Sequence, residues 1–381
     1  HYDRMGIFEG LTKYDNNYKA IPANAEKWEH NTDYTVWTFY LRKDLKWSDG
    51  TPLTAKDYEY SMKRVIDPNS LKGQSNAFIT GVPIKNAEEV RLGQTKAEDL
   101  GIKALDDYTL EITLSKPSVV LDVSVAESWA LPVPKHVIDK AGAEWASIEN
   151  IVCNGPYKPK EWQQNAKLTL VRNENYYQEA NFDEINILTG TGNQLLAYQN
   201  NDINIANLTQ ADMELVNKDA ELKEQVGVYK SGVIYYMDLL NSENDILHKN
   251  PKVRQAIAMS IDKETIAKNI MLDTVRPGYS LVPEIFASWG NDIGLKYDPE
   301  KAKQLMAEAG FPDGQGFPEM MILLAGTPSG RELAIKDMIE KGTGIKVKLV
   351  NEEWAVFTKD IKKLWPADTI GWFISGWGTG F

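Results

Sequence analysis

One cysteine among 381 residues rules out an internal disulfide. Cys153 lies in the apolar run IVCNGPY, where a buried, inert thiol is the expected role. Histidine is nearly as scarce. His1, His30, His136 and His248 show neither HExxH nor any paired metal spacing, so no metal centre is expected. A nucleophile elbow is missing too, because GTPSG at Gly326–Gly330 carries its serine one place late. Gly190-Thr191-Gly192 follows a strand-like stretch but lacks the third glycine and the distant acid of a dinucleotide loop. No apolar run approaches the roughly 18–20 residues of a membrane-spanning helix. Basic residues are outnumbered, and a formal charge of −12 argues against nucleic acid as a partner. Internal repeats and low-complexity tracts are absent from the sequence.

Aromatic residues, by contrast, are abundant, with 11 Trp and 17 Tyr, more than cores alone usually need. Hydrophobic residues make up 43% and charged residues 25%, as in soluble globular chains, and the length calls for two or more lobes. The most regular stretch runs from Tyr34 to Pro68. Trp37, Phe39 and Leu41 alternate with Val36, Thr38 and Tyr40, a period of two that predicts a strand. Leu45 and Trp47 precede the turn Ser48-Asp49-Gly50. Thr54 then stands three residues before Asp57, a helix start, and Tyr58, Met62 and Val65 share one stripe until Asp67-Pro68 stops the helix. Trp37 and Trp47 are expected in the core. Further on, Leu110, Ile112 and Leu114 alternate in a second strand pair, and Ile185–Leu188 reads as a strand. From Gly232 the pattern becomes strand-helix-strand: Val233–Leu239, Pro251–Lys263, Met320–Leu324, Arg331–Glu340 and Gly344–Val350, which predicts a largely parallel sheet.

The stretch WTFYLRKDLKWSDGTPLTAKDYEYSMKRVIDP closely resembles the signature of the family 5 extracellular solute-binding proteins. The resemblance extends along the chain through FEGL near the start, with a short helix ending in Lys27-Trp28-Glu29, then NGPY at Asn154–Tyr157, RNENYY at Arg172–Tyr177, an implied strand at Ile203–Ile205 and VRQAI at Val253–Ile257. It implies an α/β, two-lobed fold like that of periplasmic binding proteins, of type II in the large cluster with an extra inserted domain, and a ligand cleft between the lobes. Residues 1–9 and 135–231 would form the first lobe, 10–134 the inserted α/β module and 232–381 the second lobe. Family members begin earlier and run on past IGWFISGWGTGF, so both ends look trimmed and a C-terminal return to the first lobe is expected outside this chain. The implied activity is non-catalytic: capture of oligopeptides by hinge closure, as the substrate-binding subunit of an ABC importer. The implied partners are the ligand and a membrane permease, with no cofactor, a monomeric state, and an extracytoplasmic location in the periplasm or lipid-anchored on the outer face of the membrane.

By the same resemblance, the ligand-binding residues are Trp377 and Gly378 in SGWGTGF, Trp354 in NEEWAVF, and Tyr236 and Asp238 in IYYMDL. Core packing is the competing role for both tryptophans. Tyr236 and Asp238 share strand parity, so a ligand could meet both, although a plain strand-edge role suits Asp238 equally. Two departures stand out. Peptide-binding members carry an acid where this chain has Gly380, and Ile374 occupies a position where they pair a carboxylate with arginine. The missing acid favours, as an alternative, a non-peptide solute such as an oligosaccharide held by stacking; a cleft hydrolase is the third reading.

Overall fold

Alternation and capping become structure along most of the chain. The structure, a computed structural model, describes residues 6–69, 81–190, 192–228, 233–242, 246–281, 293–366 and 369–378. Among these, compact units cover 6–192 and 193–378. No helix in the described residues is long and apolar enough to cross a membrane.

In the first unit, β1 (Ala25–His30), β2 (Val36–Leu41), β3 (Ile102–Asp106) and β4 (Thr109–Thr113) form an antiparallel sheet in the order β1-β2-β4-β3. The period of two in β2 buries Trp37, Phe39 and Leu41, and Leu110 and Ile112 of β4 lie beside them. Helix α1 (Ala55–Ile66) covers this face with Tyr58, Met62 and Ile66. It starts where the sequence places it, with the Asp57 carboxylate accepting from the Thr54 amide at 2.8 Å. Trp47 is fully buried in the same core, as its motif predicts.

Two expected elements differ. Ala25–Glu29 is a strand rather than a helix, because its backbone pairs with β2, Trp28 opposite Phe39. The composition AEKWEH favours a helix locally, and ladder pairing overrides it. Ile203–Ile205 forms no strand.

A second antiparallel sheet in this unit joins β5 (Tyr157–Gln163), β6 (Lys167–Arg172) and β7 (Glu184–Leu188) in chain order. Ile7, Cys153, Leu168 and Leu170 form its core. Cys153 is buried as expected, and desolvation pushes its thiol up to about 11, which keeps it protonated and unreactive. Glu9 ties the parts of this unit together. Its carbonyl accepts from Asn24 Nδ2 at 2.9 Å and Asn154 Nδ2 at 2.8 Å, and its carboxylate accepts from Tyr176 Oη at 2.8 Å. FEGL, NGPY and RNENYY thus meet at one hydrogen-bonded knot. The glycine of NGPY is forced by space: a Cβ on Gly155 would lie 2.4 Å from the Gly6 carbonyl oxygen and 2.7 Å from that of Ile7.

The turn at Asp49 is fastened to α2 (Lys135–Ala141) by His136, whose Nε2 lies 2.8 Å from Asp49 Oδ2. Burial raises the Asp49 carboxyl, but the Thr51 amide and the His136 imidazole outweigh it and hold the group below its ordinary value. A depressed folded pKa stabilises the fold above the unfolded value and loses that effect as pH falls through the folded one. Asp49→Asn should therefore lower stability by less than about 1 kcal/mol near neutrality, since the pair is partly exposed. The difference from the parent should shrink as pH falls below the ordinary carboxylate range. Urea unfolding of both proteins between neutrality and acid checks this, and an undiminished difference in acid would contradict it.

The second unit holds the parallel arrangement. Its strands are β8 (Val233–Leu239), β9 (Met320–Ala325), β10 (Val347–Glu352) and β11 (Gly371–Gly378), in the order β8-β11-β9-β10. β9 is parallel to both β10 and β11, whereas β8 runs antiparallel to β11 at the edge. One face of the sheet packs on α3 (Pro251–Ser260), α4 (Pro299–Glu308) and α5 (Gly330–Thr343), through Val253, Ile257, Met306, Ile335 and Ile339 against Ile322, Val347 and Ile374. Val253 and Ile257, four residues apart on one face of α3, are buried in this core. The other face, with Leu323 and Phe373, packs on Phe357 of α6 (Trp354–Asp360).

Candidate functional site

In an open α/β sheet the carboxyl ends of parallel strands are where helices begin and where side chains from separate connections converge. In the second unit that edge is marked by Ala325, Glu352 and Gly378, the ends of β9, β10 and β11. Antiparallel β8 starts there, with Val233 opposite Gly378 and Ile234 opposite Trp377. Helix α6 begins one residue after Glu352 and Glu353, with Trp354 as its first residue and the Glu353 carboxylate accepting from the Ala355 amide at 3.0 Å.

Trp354 is 62% exposed, so its indole is not core. It stacks on Phe357, with ring centroids 5.8 Å apart and planes 27° apart. Phe357 meets Phe373 edge-on at 6.3 Å, and Phe373 meets Tyr236 edge-on at 6.4 Å. A continuous row of four rings therefore runs from the exposed Trp354 through a buried Phe pair to the half-buried Tyr236. Offset and edge-on contacts of this kind fix the rings and leave the end of the row presented to solvent. Asp238 is exposed, and its carboxylate accepts from the Leu239 amide at 2.8 Å. Its parity with Tyr236 holds, since they stand opposite Phe373 and Ser375 in the ladder. Three of the five residues expected from sequence thus belong to one face of one sheet. Trp377 and Gly378 enter through their backbone as the partners of Ile234 and Val233. Gly380, where the family acid is replaced, lies outside the described residues.

Several features of this edge were not read from the sequence. Glu352 has one carboxylate oxygen buried without a partner among the described residues. Burial, then the nearby Asp360 charge, push its carboxyl up. Tyr235 and Arg331 also meet here, with the guanidinium carbon 4.1 Å from the ring centroid. The signal available for Arg331 was Ser329-Gly330-Arg331-Glu332, a capping box at a strand-to-helix junction. Among the described residues no group of three or more His, Cys, Asp or Glu side chains could hold a metal ion.

The model of the bacterial extracellular solute-binding proteins, family 5 middle region, matches residues 19–381. The chain belongs to that family. As a family 5 solute-binding protein, it is 33% identical over 369 residues to the periplasmic oligopeptide-binding protein OppA of Salmonella typhimurium, an alignment covering 92% of this chain and 66% of that protein. The chain thus spans just under two thirds of that curated relative. The crystal structure of a periplasmic oligopeptide-binding protein, OppAIV, from Borrelia burgdorferi superposes with a TM-score of 0.79 at 30% identity, covering 98% of this chain and 74% of that one. The murein tripeptide binding protein MppA of Escherichia coli superposes with a TM-score of 0.83 at 26% identity, covering 99% and 74%. The family and these structures give the fold expected from sequence, the mixed α/β, two-lobed type II fold of periplasmic binding proteins. Family 5 is a family of solute-binding proteins rather than enzymes.

Proposed function

We propose that this chain captures oligopeptides by hinge closure, as the substrate-binding subunit of an ABC importer. In that role it works outside the cytoplasmic membrane as a monomer, free or lipid-anchored, and delivers its ligand to a membrane permease without catalysing a reaction. The observation that carries the reading is the row of rings ending in exposed Trp354, at the strand edge where Trp377 also stands. Flat, rigid side chains contact varied ligand side chains with little entropy loss, which suits a binder of many sequences. The likeness to proteins named for oligopeptides, at 33% and 30% identity, supports it.

In this reading Trp354, Trp377, Gly378 and Tyr236 contact the ligand, and Asp238 takes the peptide's amine in place of the acid missing at Gly380. The domain division is part of the same proposal: 10–134 inserted between 1–9 and 135–231, and 232–381 as the second lobe. The separate sheets and cores of 25–113 and 157–188 support the insertion. By contacts, residues 193–228 group with the second unit.

Calorimetry with a short peptide and its N-acetylated form tests the reading. The free peptide should bind at least about tenfold more tightly, or about 1.4 kcal/mol, and Asp238→Asn should remove the difference. A variant that still discriminates would move the amine to another acid, Glu352 being the next at this edge. A trisaccharide that binds where neither peptide does would replace the peptide with a stacked sugar.

A further inference from the structure

Tyr235 stands opposite Gly376 in the β8–β11 ladder, one residue from the Ile234–Trp377 pair. A Cβ on Gly376 would lie 2.8 Å from Tyr235 Cε1 and 3.0 Å from Cδ1, so the ring lies across the strand in space that a side chain there would fill. The ring is 54% exposed, and the Arg331 guanidinium is stacked on it. Arg331 is held from the other side as well. Its Nε donates to Glu332 Oε1 at 2.7 Å, and Nη2 lies 2.6 Å from the same oxygen. Glu332 is itself buried and fixed, its Oε2 accepting from the Ser329 amide at 2.8 Å and the Ser329 hydroxyl at 2.5 Å. Glycine, tyrosine, arginine, glutamate and serine form one chain of contacts that locks the planar fork at the carboxyl edge of the sheet. Among the described residues, Nη1 has no hydrogen-bond partner.

We propose that Arg331 is a further ligand-binding residue of this edge, its Nη1 donating to an uncharged acceptor oxygen of the solute, a backbone carbonyl in a peptide. The assignment rests on the peptide-capture reading above. The charge balance selects the kind of acceptor. Glu332 already neutralises Arg331 at ion-pair distance, so a carboxylate arriving there would leave two negative groups sharing one cation. A carbonyl adds no charge and still gains a charge-assisted hydrogen bond. It also carries no sequence information, as suits a protein that accepts varied side chains. Lysine could neutralise Glu332 but could not offer a second fixed donor while stacked on Tyr235.

Calorimetry with a tripeptide and its C-terminal amide, on the parent protein, Arg331→Lys, Arg331→Met and Glu332→Gln, tests this. Arg331→Lys keeps a cation beside Glu332 and should retain the parent's unfolding midpoint. Both Arg331 variants should bind both peptides about tenfold or more weakly, the free acid and the amide by the same factor. Glu332→Gln releases the charge of Arg331 and should create a preference for the free acid that the parent lacks. Unchanged affinity for both peptides in Arg331→Lys and Arg331→Met overturns the assignment. So does a loss confined to the free acid, which would make Arg331 a carboxylate anchor. A parent protein that binds neither peptide overturns the peptide reading and this assignment together, whereas parent binding matched by the variants overturns this assignment alone.

Discussion

Trp47→Ala is expected to destabilise the first unit by about 3–5 kcal/mol, the range for removing a large aromatic from a packed core. Trp47 has no accessible surface and lies in the same cluster as Phe39, Leu53, Tyr58 and Met62. Its backbone is fixed as well, since its amide donates to the Thr51 carbonyl at 2.8 Å and Leu53 returns to Leu45 at 3.0 Å. A cavity left there cannot close by shifting the hairpin, because both arms of the turn are bonded to each other. Domains have only about 5–15 kcal/mol of stability in total, so the variant should sit near the threshold for folding. Trp47→Phe refills most of the volume and should recover most of the loss. Urea unfolding of the three proteins gives the comparison, and a loss below about 1 kcal/mol in Trp47→Ala would return Trp47 to a peripheral role.

Trp354→Ala should behave in the opposite way. Its indole is mostly in solvent, touching Phe357 on one side, so stability should change by no more than about 0.5 kcal/mol. Ligand affinity should fall by about 2 kcal/mol, roughly thirtyfold, the scale of losing an aromatic anchor. Trp354→Phe keeps the stacking on Phe357 and should fall between the two. Titration of a tripeptide into each protein, beside an unfolding curve, separates the roles. Unchanged affinity with a lowered midpoint would make Trp354 a packing residue.

The contrast between these two tryptophans shows how far the sequence could be read. Trp47 was legible because its neighbours repeat every second residue and end at a turn and a capped helix, all short-range signals. The same is true of Trp37, Phe39, Thr54 and Asp57. Trp354 carries no such local pattern, and its place came from resemblance alone. The short helix ending in Lys27-Trp28-Glu29 came from resemblance, and pairing with Val36–Leu41 makes Ala25–His30 a strand instead. The strand at Ile203–Ile205 also came from resemblance, and these residues form none. Tyr235 and Arg331 were missed because they meet only through the tertiary order of the sheet, with β11 pairing β8 on one side and, on the other, β9, which leads into α5. A local window of sequence carries nothing about such an order.

That order also constrains how the second unit is synthesised. β11 is the latest of its four strands in the chain, yet it lies inside the sheet, between β8 and β9. Until residues 371–378 leave the ribosome, β8 has no neighbour and β9 has one open side. Both would then present unpaired amides and carbonyls along apolar strands such as MMILLA. Nascent chains stalled before that point should be prone to edge-to-edge association, and a chaperone that masks extended apolar segments would act longest on β8 and β9. Insertion of that strand would then pair the inner side of β8 and the open side of β9 in one step.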